Sequence, residues 1–490
     1  MKAMPPLRWG TSAQFEQLRA VLEQAAYTEA AICERYGISG IHQFPKSHAQ
    51  PRPAPRDALE LLCRLFLESE SVEDHTVDSI LPSLARELLQ FFGLMAHQEN
   101  SYRATVMLYP TQSLYIASDS TTAQPDAVYP AITRQTRSFL AMLPPRPCEY
   151  FLEMCAGTGI AALVAARRWA RHAWACDITR RAVDYAEFNR RLNGIENMTV
   201  LRGDLYEPVA GMTFDRIVAH PPYVPALHPQ QVFRDGGEDG EQITRAIIAG
   251  LPRHLRAGGS FYCAALGSDR KSAPFEMRLR KMLGEASGEF DILLASREVF
   301  TPLEYCLQQC GQDSAAEISR QQAVFQRLEI QRLLTCAMVM RRRSAAGTVV
   351  TIRRQMGPET GNAEMEWLLD WETAATDPAH LERVLDCRPV CSTAIRLRTT
   401  HTLQNQQWTL AECSLETEWP FALRAQAPSW SAVLVTRCDG RNTARQHFRA
   451  LLEQGALPPE SSEQDFARFV SRLISGGFLS VPGSAARQPG

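Results

Sequence analysis

The sequence predicts an α/β protein: an open parallel sheet with helices on both faces in the middle of the chain, a mostly helical N-terminal part and a mixed α/β C-terminal part. Three observations point there. From Tyr150 to about Met356, apolar runs of strand length alternate with helical segments, the pattern that repeated strand–helix crossovers write into a sequence. A glycine turn, Ala156-Gly157-Thr158-Gly159, leads from the first of these runs straight into a helical segment. Polar residues then stand at the ends of the next runs, where sheets of this class bind their ligands.

The elements follow in order. FEQLRAVLEQA, DALELLCRLFLES and SILPSLARELLQFFGLM each space apolar residues three or four apart, which predicts helices between Thr11 and about Leu94. The proline-rich stretch FPKSHAQPRPAPRD separates the first from the second as a loop. ATVMLYP and SLYIASDS predict a short strand pair, and the polar connector from Ser118 to Asp126 predicts a boundary near residue 125. The core strands are YFLEMCA, HAWACDI, MTVLRGD, FDRIVAH, GGSFYCAAL, DILLASRE and LTCAMVMRRR, with helices such as IAALVAARRWA and RRAVDYAEFNRRLN between them. Near the end, TARQHFRALLEQGAL and EQDFARFVSRLISGGFLSV give two helices, a glycine pair and a short strand, a pattern shared by a winged-helix module and a plain helical cap. The expected domains are 1–125, 126–356 and 357–490.

Apolar residues make up 45% of the 490 positions and charged residues 22%, which excludes a disordered or fibrous chain. The formal charge of −2 provides no global field for nucleic acid. The clusters Arg341-Arg342-Arg343 and Arg353-Arg354 read as solvated strand ends. A small-molecule or peptide substrate is therefore favoured over nucleic acid. No run of about 18 apolar residues occurs and no apolar signal core opens the chain, so a cytoplasmic location without membrane association is expected. The thirteen cysteines are scattered. Cys306-x3-Cys310 and Cys387-x3-Cys391 lack the further ligands a metal site needs, so reduced thiols and no metal are expected.

The chemistry gathers at the strand ends. In LEMCAGTGIAAL, two glycines allow a tight backbone bend and close approach of a ligand to free helix N–H groups. The P-loop Lys-Ser/Thr is missing, and Ala162 replaces the third glycine of the dinucleotide pattern. Glu153 just before the turn disfavours a pyrophosphate and suits a cationic amino-acid moiety. Asp177 ends the next strand about twenty residues on, where a carboxylate can accept from both hydroxyls of a ribose. Asp204 in RGDLYEP follows the third strand and can accept from an adenine amino group. Each of these aspartates, taken singly, also suits a helix cap. In AHPPYVP, two prolines force the chain to stop after the fourth strand and present His220 and Tyr223 on a rigid corner.

Glu153 to Gly159, Asp177, Asp204 and the corner, in this order and spacing, resemble the class I S-adenosylmethionine-dependent methyltransferases. Within that class they resemble the small-domain amino methyltransferases of the release-factor glutamine N5 and ribosomal RNA guanine N2 types. The likeness covers roughly residues 128 to 345. It implies a Rossmann-like seven-stranded core and S-adenosyl-L-methionine as cofactor, held by Glu153, Cys155, Ala156, Gly157, Thr158, Gly159, Asp177, Ile178, Asp204 and Leu205. VYPAITRQTRSFLAML resembles the family's approach segment, which adds Thr133 and Gln135, with Thr136 beside them. FRDGGEDG resembles the glycine-acidic loop after the corner in the glutamine methyltransferases, and is equally read as a helix-entry turn with Glu238 or Asp239 near the helix start.

The resemblance makes His220, Pro221, Pro222 and Tyr223 the catalytic corner, His220 also facing the cofactor. The family usually has Asn, Asp or Ser where this chain has His220. A neutral imidazole offers one acceptor to an NH2 group and could also take a proton from an alcohol or ammonium group. Three readings follow: methyl transfer to a nitrogen of a protein side chain, nucleobase or metabolite; O-methylation or another alkyl transfer with His220 as base; or a cofactor-binding or partner-binding protein without catalysis. The oligomeric state is not legible in the sequence.

Overall fold

The first helix, Ser12–Gln24, starts where the Thr11 side chain accepts from the Gln14 amide and the Gln14 side chain accepts from the Thr11 amide, a reciprocal cap that satisfies two end donors. Its buried face carries Phe15, Leu18 and Leu22. The computed structural model describes residues 7–44, 53–120, 123–310 and 315–481; most of the proline-rich stretch before Asp57 lies outside the described residues. Contacts divide the chain into two units, Met1–Ala265 and Leu266–Gly490.

In the first unit, the N-terminal helices Ser12–Gln24, Glu29–Tyr36, Ala58–Phe66, Asp74–Ile80 and Ser83–Phe91 are joined by a small sheet of Ser71–Glu73, Ser101–Ala104 and Met95–Gln98. The expected strand pair is a hairpin of Met107–Thr111 with Leu114–Ser118. Helix Arg180–Leu192 anchors this part. Phe188 on it packs edge-on against Phe15 and Phe92, at ring-centroid separations of 5.4 and 5.9 Å. Asn189 on this helix and Asn193 at its C-cap read the edge of Leu114–Ser118: Ala117 N donates to Asn189 at 2.7 Å and Tyr115 N to Asn193 at 2.9 Å. Each side chain also donates back to the carbonyl of the residue it accepts from, so two amides stand in for a neighbouring strand.

The core strands of this unit lie in the order Met198–Arg202, Ala170–Asp177, Cys148–Met154, Phe214–Ala219 and Leu255–Arg270, every neighbouring pair parallel. Phe151, Leu152, Ala173, Ala175, Ile217, Val218, Phe261 and Cys263 are fully buried, as strands covered on both faces require. The register sets the strand ends level: Met154 lies opposite Cys176 and Ala219, and Ala219 opposite Cys263. The chain therefore leaves the sheet at Cys155, Asp177 and His220 along one edge.

The second unit carries strands in the order Ile330–Arg342, Phe290–Phe300, Thr351–Met356, Phe421–Gln426, Gln407–Thr417 and Arg396–Gln404. Here the expectation of a wholly parallel sheet is corrected: Phe290–Phe300 pairs antiparallel with Ile330–Arg342. The connection contains two helices, Pro302–Cys310 and Ala315–Arg327, packed on each other. A helical hairpin returns the chain to the end it left, so the next strand runs back. Helices Ala444–Glu453 and Glu463–Ser475 lead into Leu479–Ser480, which pairs antiparallel with Val390–Cys391.

Candidate active site

The turn after Cys148–Met154 depends on left-handed backbone at Cys155 (φ 53°), Gly157 (φ 53°) and Gly159 (φ 74°). The two glycines serve different ends. A Cβ on Gly159 would come within 3.1 Å of Ala186 and 3.2 Å of Met198, so bare backbone lets helix Ile160–Arg168 pack close to its neighbours. A Cβ on Gly157 would meet nothing within 4 Å; this is open space in which a ligand can lie against the main chain. Ala156 is tied down by its amide bond to the Cys176 carbonyl, and Thr158 is buried.

Glu153, 3% exposed, sits beneath the following helix, its two oxygens accepting from the amides of Ala161 (3.2 Å) and Ala162 (2.7 Å). It satisfies donors that a helix start leaves open. Burial pushes its pKa up to about 8 against the pull of those two amides. Burial likewise raises the Cys155 thiol.

Asp177 closes the turn from the neighbouring strand. One carboxylate oxygen accepts from Gly157 N at 3.0 Å, the other from Thr179 N at 3.0 Å and Thr179 Oγ1 at 3.2 Å. Burial raises its pKa while these bonds oppose the rise. A carboxylate offers about four acceptor directions; three are taken, so the oxygen that accepts from Gly157 keeps one for a ligand hydroxyl. Ile178, next in the chain, is 51% exposed, an apolar surface beside that carboxylate. Asp204 is exposed, its amide donating to Glu207 at 3.3 Å, and Leu205 follows in left-handed conformation.

Thr133 caps helix Arg134–Ala141, its hydroxyl accepting from Thr136 N at 3.3 Å, while Gln135 points to solvent. The approach segment reaches the corner through Phe139, which the sequence reading did not single out. The Phe139 ring lies 5.2 Å from the ring of His220, tilted by 34°, and the Tyr223 ring stacks on His220 at 5.8 Å and 21°. His220 is only partly exposed between these rings, and desolvation lowers its pKa to about 4. At neutral pH the imidazole is uncharged, with one donor and one acceptor nitrogen.

The loop after the corner is built onto it. Val224 N donates to Arg234 O at 2.9 Å, Gly236 N to Val224 O at 2.8 Å, and Ala226 N to Gly237 O at 2.9 Å. A Cβ on Gly236 would strike Pro222 O and Tyr223 Cα, both at 2.8 Å; one on Gly240 (φ 74°) would lie 2.3 Å from Tyr223 O. The glycines are thus needed for this close approach. Asp239 accepts from Glu241 N at 3.0 Å and pairs with Arg245 at 3.2 Å, fixing the start of helix Gln242–His254. On the other side Tyr129 stacks on Phe233 at 5.8 Å and 19°, and Val232 N donates to Pro125 O at 2.8 Å. Val128, next to Tyr129, is held in turn by Asp119, 3% exposed, which accepts from Val128 N at 2.7 Å and Tyr185 Oη at 2.9 Å and pairs with Arg181. No sequence pattern announced this buried carboxylate; only its partners, far along the chain, reveal it.

Among the described residues, no group of three or more metal-ligating side chains gathers and no helix is long and apolar enough to cross a membrane.

Residues 130–287 match the family described as methyltransferase small domain. Over 132 residues, 24% of this chain and 41% of the relative, the sequence is 33% identical to a ribosomal protein uL3 glutamine methyltransferase of Bradyrhizobium diazoefficiens. It is 35% identical over 114 residues, 22% of this chain and 57% of the relative, to a putative protein N5-glutamine methyltransferase of Methanocaldococcus jannaschii. A release factor glutamine methyltransferase of Gloeobacter violaceus is 33% identical over 121 residues, 22% of this chain and 42% of that protein. The chain spans about half the length of these curated relatives. With the level strand ends, the glycine turn and the proline corner in place, the segment 130–287 is similar to the methyltransferase small domain.

Proposed function

We propose that this chain is an S-adenosylmethionine-dependent methyltransferase acting on a nitrogen of a protein side chain, a planar NH2 group of the glutamine-amide kind. The observation that carries this reading is the register of the sheet. Met154 is level with Ala219, so the glycine turn and the His220 corner emerge side by side, one suited to hold a donor and the other an acceptor. Relatives named for glutamine methylation are 33–35% identical to this chain over 114–132 residues.

The residues fit the cofactor. Open space at Gly157 admits it against the backbone, Asp177 has one acceptor direction left for a ribose hydroxyl, and Ile178 offers an apolar wall for a base. Glu153 sets the helix start, since both of its oxygens accept from helix amides. Bound there, the cofactor would supply a methyl group on a sulfonium whose positive charge vanishes on transfer. The protein's share is then alignment and exclusion of water. His220, neutral and in ring contact with Phe139 and Tyr223, accepts one N–H of the incoming NH2 at its unprotonated ring nitrogen; as the methyl arrives the thioether leaves and the proton displaced from the nitrogen passes to water. Tyr223 covers the flat face of the acceptor, and Pro221 and Pro222 fix its height.

O-methylation with His220 as base draws less support. A base whose conjugate acid has a pKa of about 4 provides little drive to deprotonate an alcohol. Incubation with isotopically labelled cofactor and peptides bearing Gln, Asn, Lys or Ser at one site tests the proposal. Mass spectrometry should place one methyl on the side-chain nitrogen of Gln. Label on a hydroxyl, or only in an RNA fraction added to the same reaction, would refute it. His220→Asn should keep at least a tenth of the activity, since an amide carbonyl serves as the same acceptor; complete loss would make His220 a base.

A further inference from the structure

We infer that strand Arg396–Gln404 pairs with the same strand of a second copy of this chain, joining two sheets edge to edge. It ends the strand order of the second unit, and all nine of its residues are exposed. Long uncovered edges invite strand addition, and natural edges are normally blunted by Pro, Lys or a bulge in the outer strand. This one has neither Pro nor Lys. Its one irregularity leaves Ala411 of the inner strand as the extra residue, because Thr400 lies opposite Glu412 and His401 opposite Leu410; the outer strand stays regular.

The side chains point to a second copy in particular. From Thr399 to Ala411 no acidic residue, Lys or Arg occurs, so nothing there attracts phosphate or a charged partner. The two arginines sit at one end, Arg398 paired with Glu416 at 3.0 Å and Arg396 with Glu418 at 3.6 Å on their own ribbon. Antiparallel pairing about Thr400 sets Arg396 opposite Gln404 of the second copy and Arg398 opposite Thr402, so no like charges meet. The same register sets Leu397 opposite Leu403. These two are 52% and 60% exposed and share one face with Trp408 (71%) and Leu410 (42%), and the pairing joins the two apolar faces into one stripe. A parallel in-register pairing would bring Arg396 onto Arg396.

Sedimentation equilibrium of the full chain should show a dimer. Leu403→Lys, which sets an ammonium against Leu397 of the other copy in the apolar stripe, should raise the dimer dissociation constant at least tenfold with the circular dichroism unchanged. Thr400→Cys, at the two-fold axis, should form an intermolecular disulfide with oxidised glutathione on a non-reducing gel. Thr402→Cys and the unsubstituted protein should not. A monomer at all concentrations, a dimer indifferent to Leu403→Lys, or crosslinking no stronger at 400 than at 402 would overturn the inference.

Discussion

Asp177 can be removed in two ways that separate its tasks. In Asp177→Ala both the bonds to Gly157 and Thr179 and any bonds to a ribose are lost. Hydrogen bonds to a charged group contribute about 1.5–3 kcal/mol, and water refills part of the gap at this partly exposed site, so a loss of about 1–3 kcal/mol of cofactor binding is expected. That is a rise of roughly 5–150-fold in dissociation constant. Asp177→Asn is the sharper probe. Both oxygens now accept from backbone N–H groups, so the new NH2 must face either Gly157 N–H or Thr179 N–H, donor against donor. The amide variant should therefore approach the alanine variant in affinity. Calorimetric titration with S-adenosylhomocysteine measures the affinity, and thermal unfolding of the same samples reports the loss of the turn itself. A folded Asp177→Ala protein binding within twofold of the unsubstituted chain would refute the placement of the cofactor.

Asp119→Ala should lower the unfolding free energy by about 3 kcal/mol in urea titrations, because it strands Arg181 and leaves Tyr185 without its acceptor; a change below about 1 kcal/mol would make the cluster dispensable. Gly240→Ala forces a Cβ to within 2.3 Å of Tyr223 O at a left-handed position, a strain of about 1–3 kcal/mol. Methyl transfer should fall more than tenfold while cofactor affinity holds, and unaltered turnover would detach the loop from the corner. The folded-state pKa of His220 lies below the ordinary imidazole value, so protons bind the unfolded chain more readily. Its contribution is present above about pH 6.5 and is lost as pH falls toward 4. His220→Asn should therefore lose less melting temperature than the unsubstituted chain between those values, and turnover should show no step from His220 between pH 6 and 8. Parallel acid melting curves would contradict the buried, neutral imidazole.

The parallel core was legible because its central strands are buried on both faces over most of their length and read as apolar runs, and because helices Ile160–Arg168 and Arg180–Leu192 follow close on the first two. The glycine turn and the proline corner were legible because backbone demands select Gly and Pro directly. What the sequence withheld has a common cause: it depends on partners distant in the chain. Phe139 looks like any apolar residue of an amphipathic helix until the structure brings it against His220, and Asn189 and Asn193 look like surface polar residues until a strand edge lies beside them. The antiparallel strand Ile330–Arg342 carries the same apolar pattern as a parallel one, since burial sets the pattern and the intervening helical hairpin sets the direction. The ribbon Arg396–Thr417 was read only as a mixed region because its tip has no buried face to impose alternation.

The corner illustrates how a residue's chemistry is assigned by its surroundings. From the sequence, His220 admits the roles of base and acceptor equally, since free imidazole titrates near neutrality. Phe139 and Tyr223 lie against the ring, and desolvation lowers its pKa to about 4, which leaves it neutral near pH 7 and favours the acceptor role in the proposed reaction. Those rings hold position only because Gly236 and Gly240 let the following loop lie against the Pro222 and Tyr223 backbone, and because Asp119 holds the segment on which that loop stacks. The proposed acceptor site is therefore set by contacts from three separate stretches of chain. A substitution in any of them should alter turnover before it alters cofactor binding.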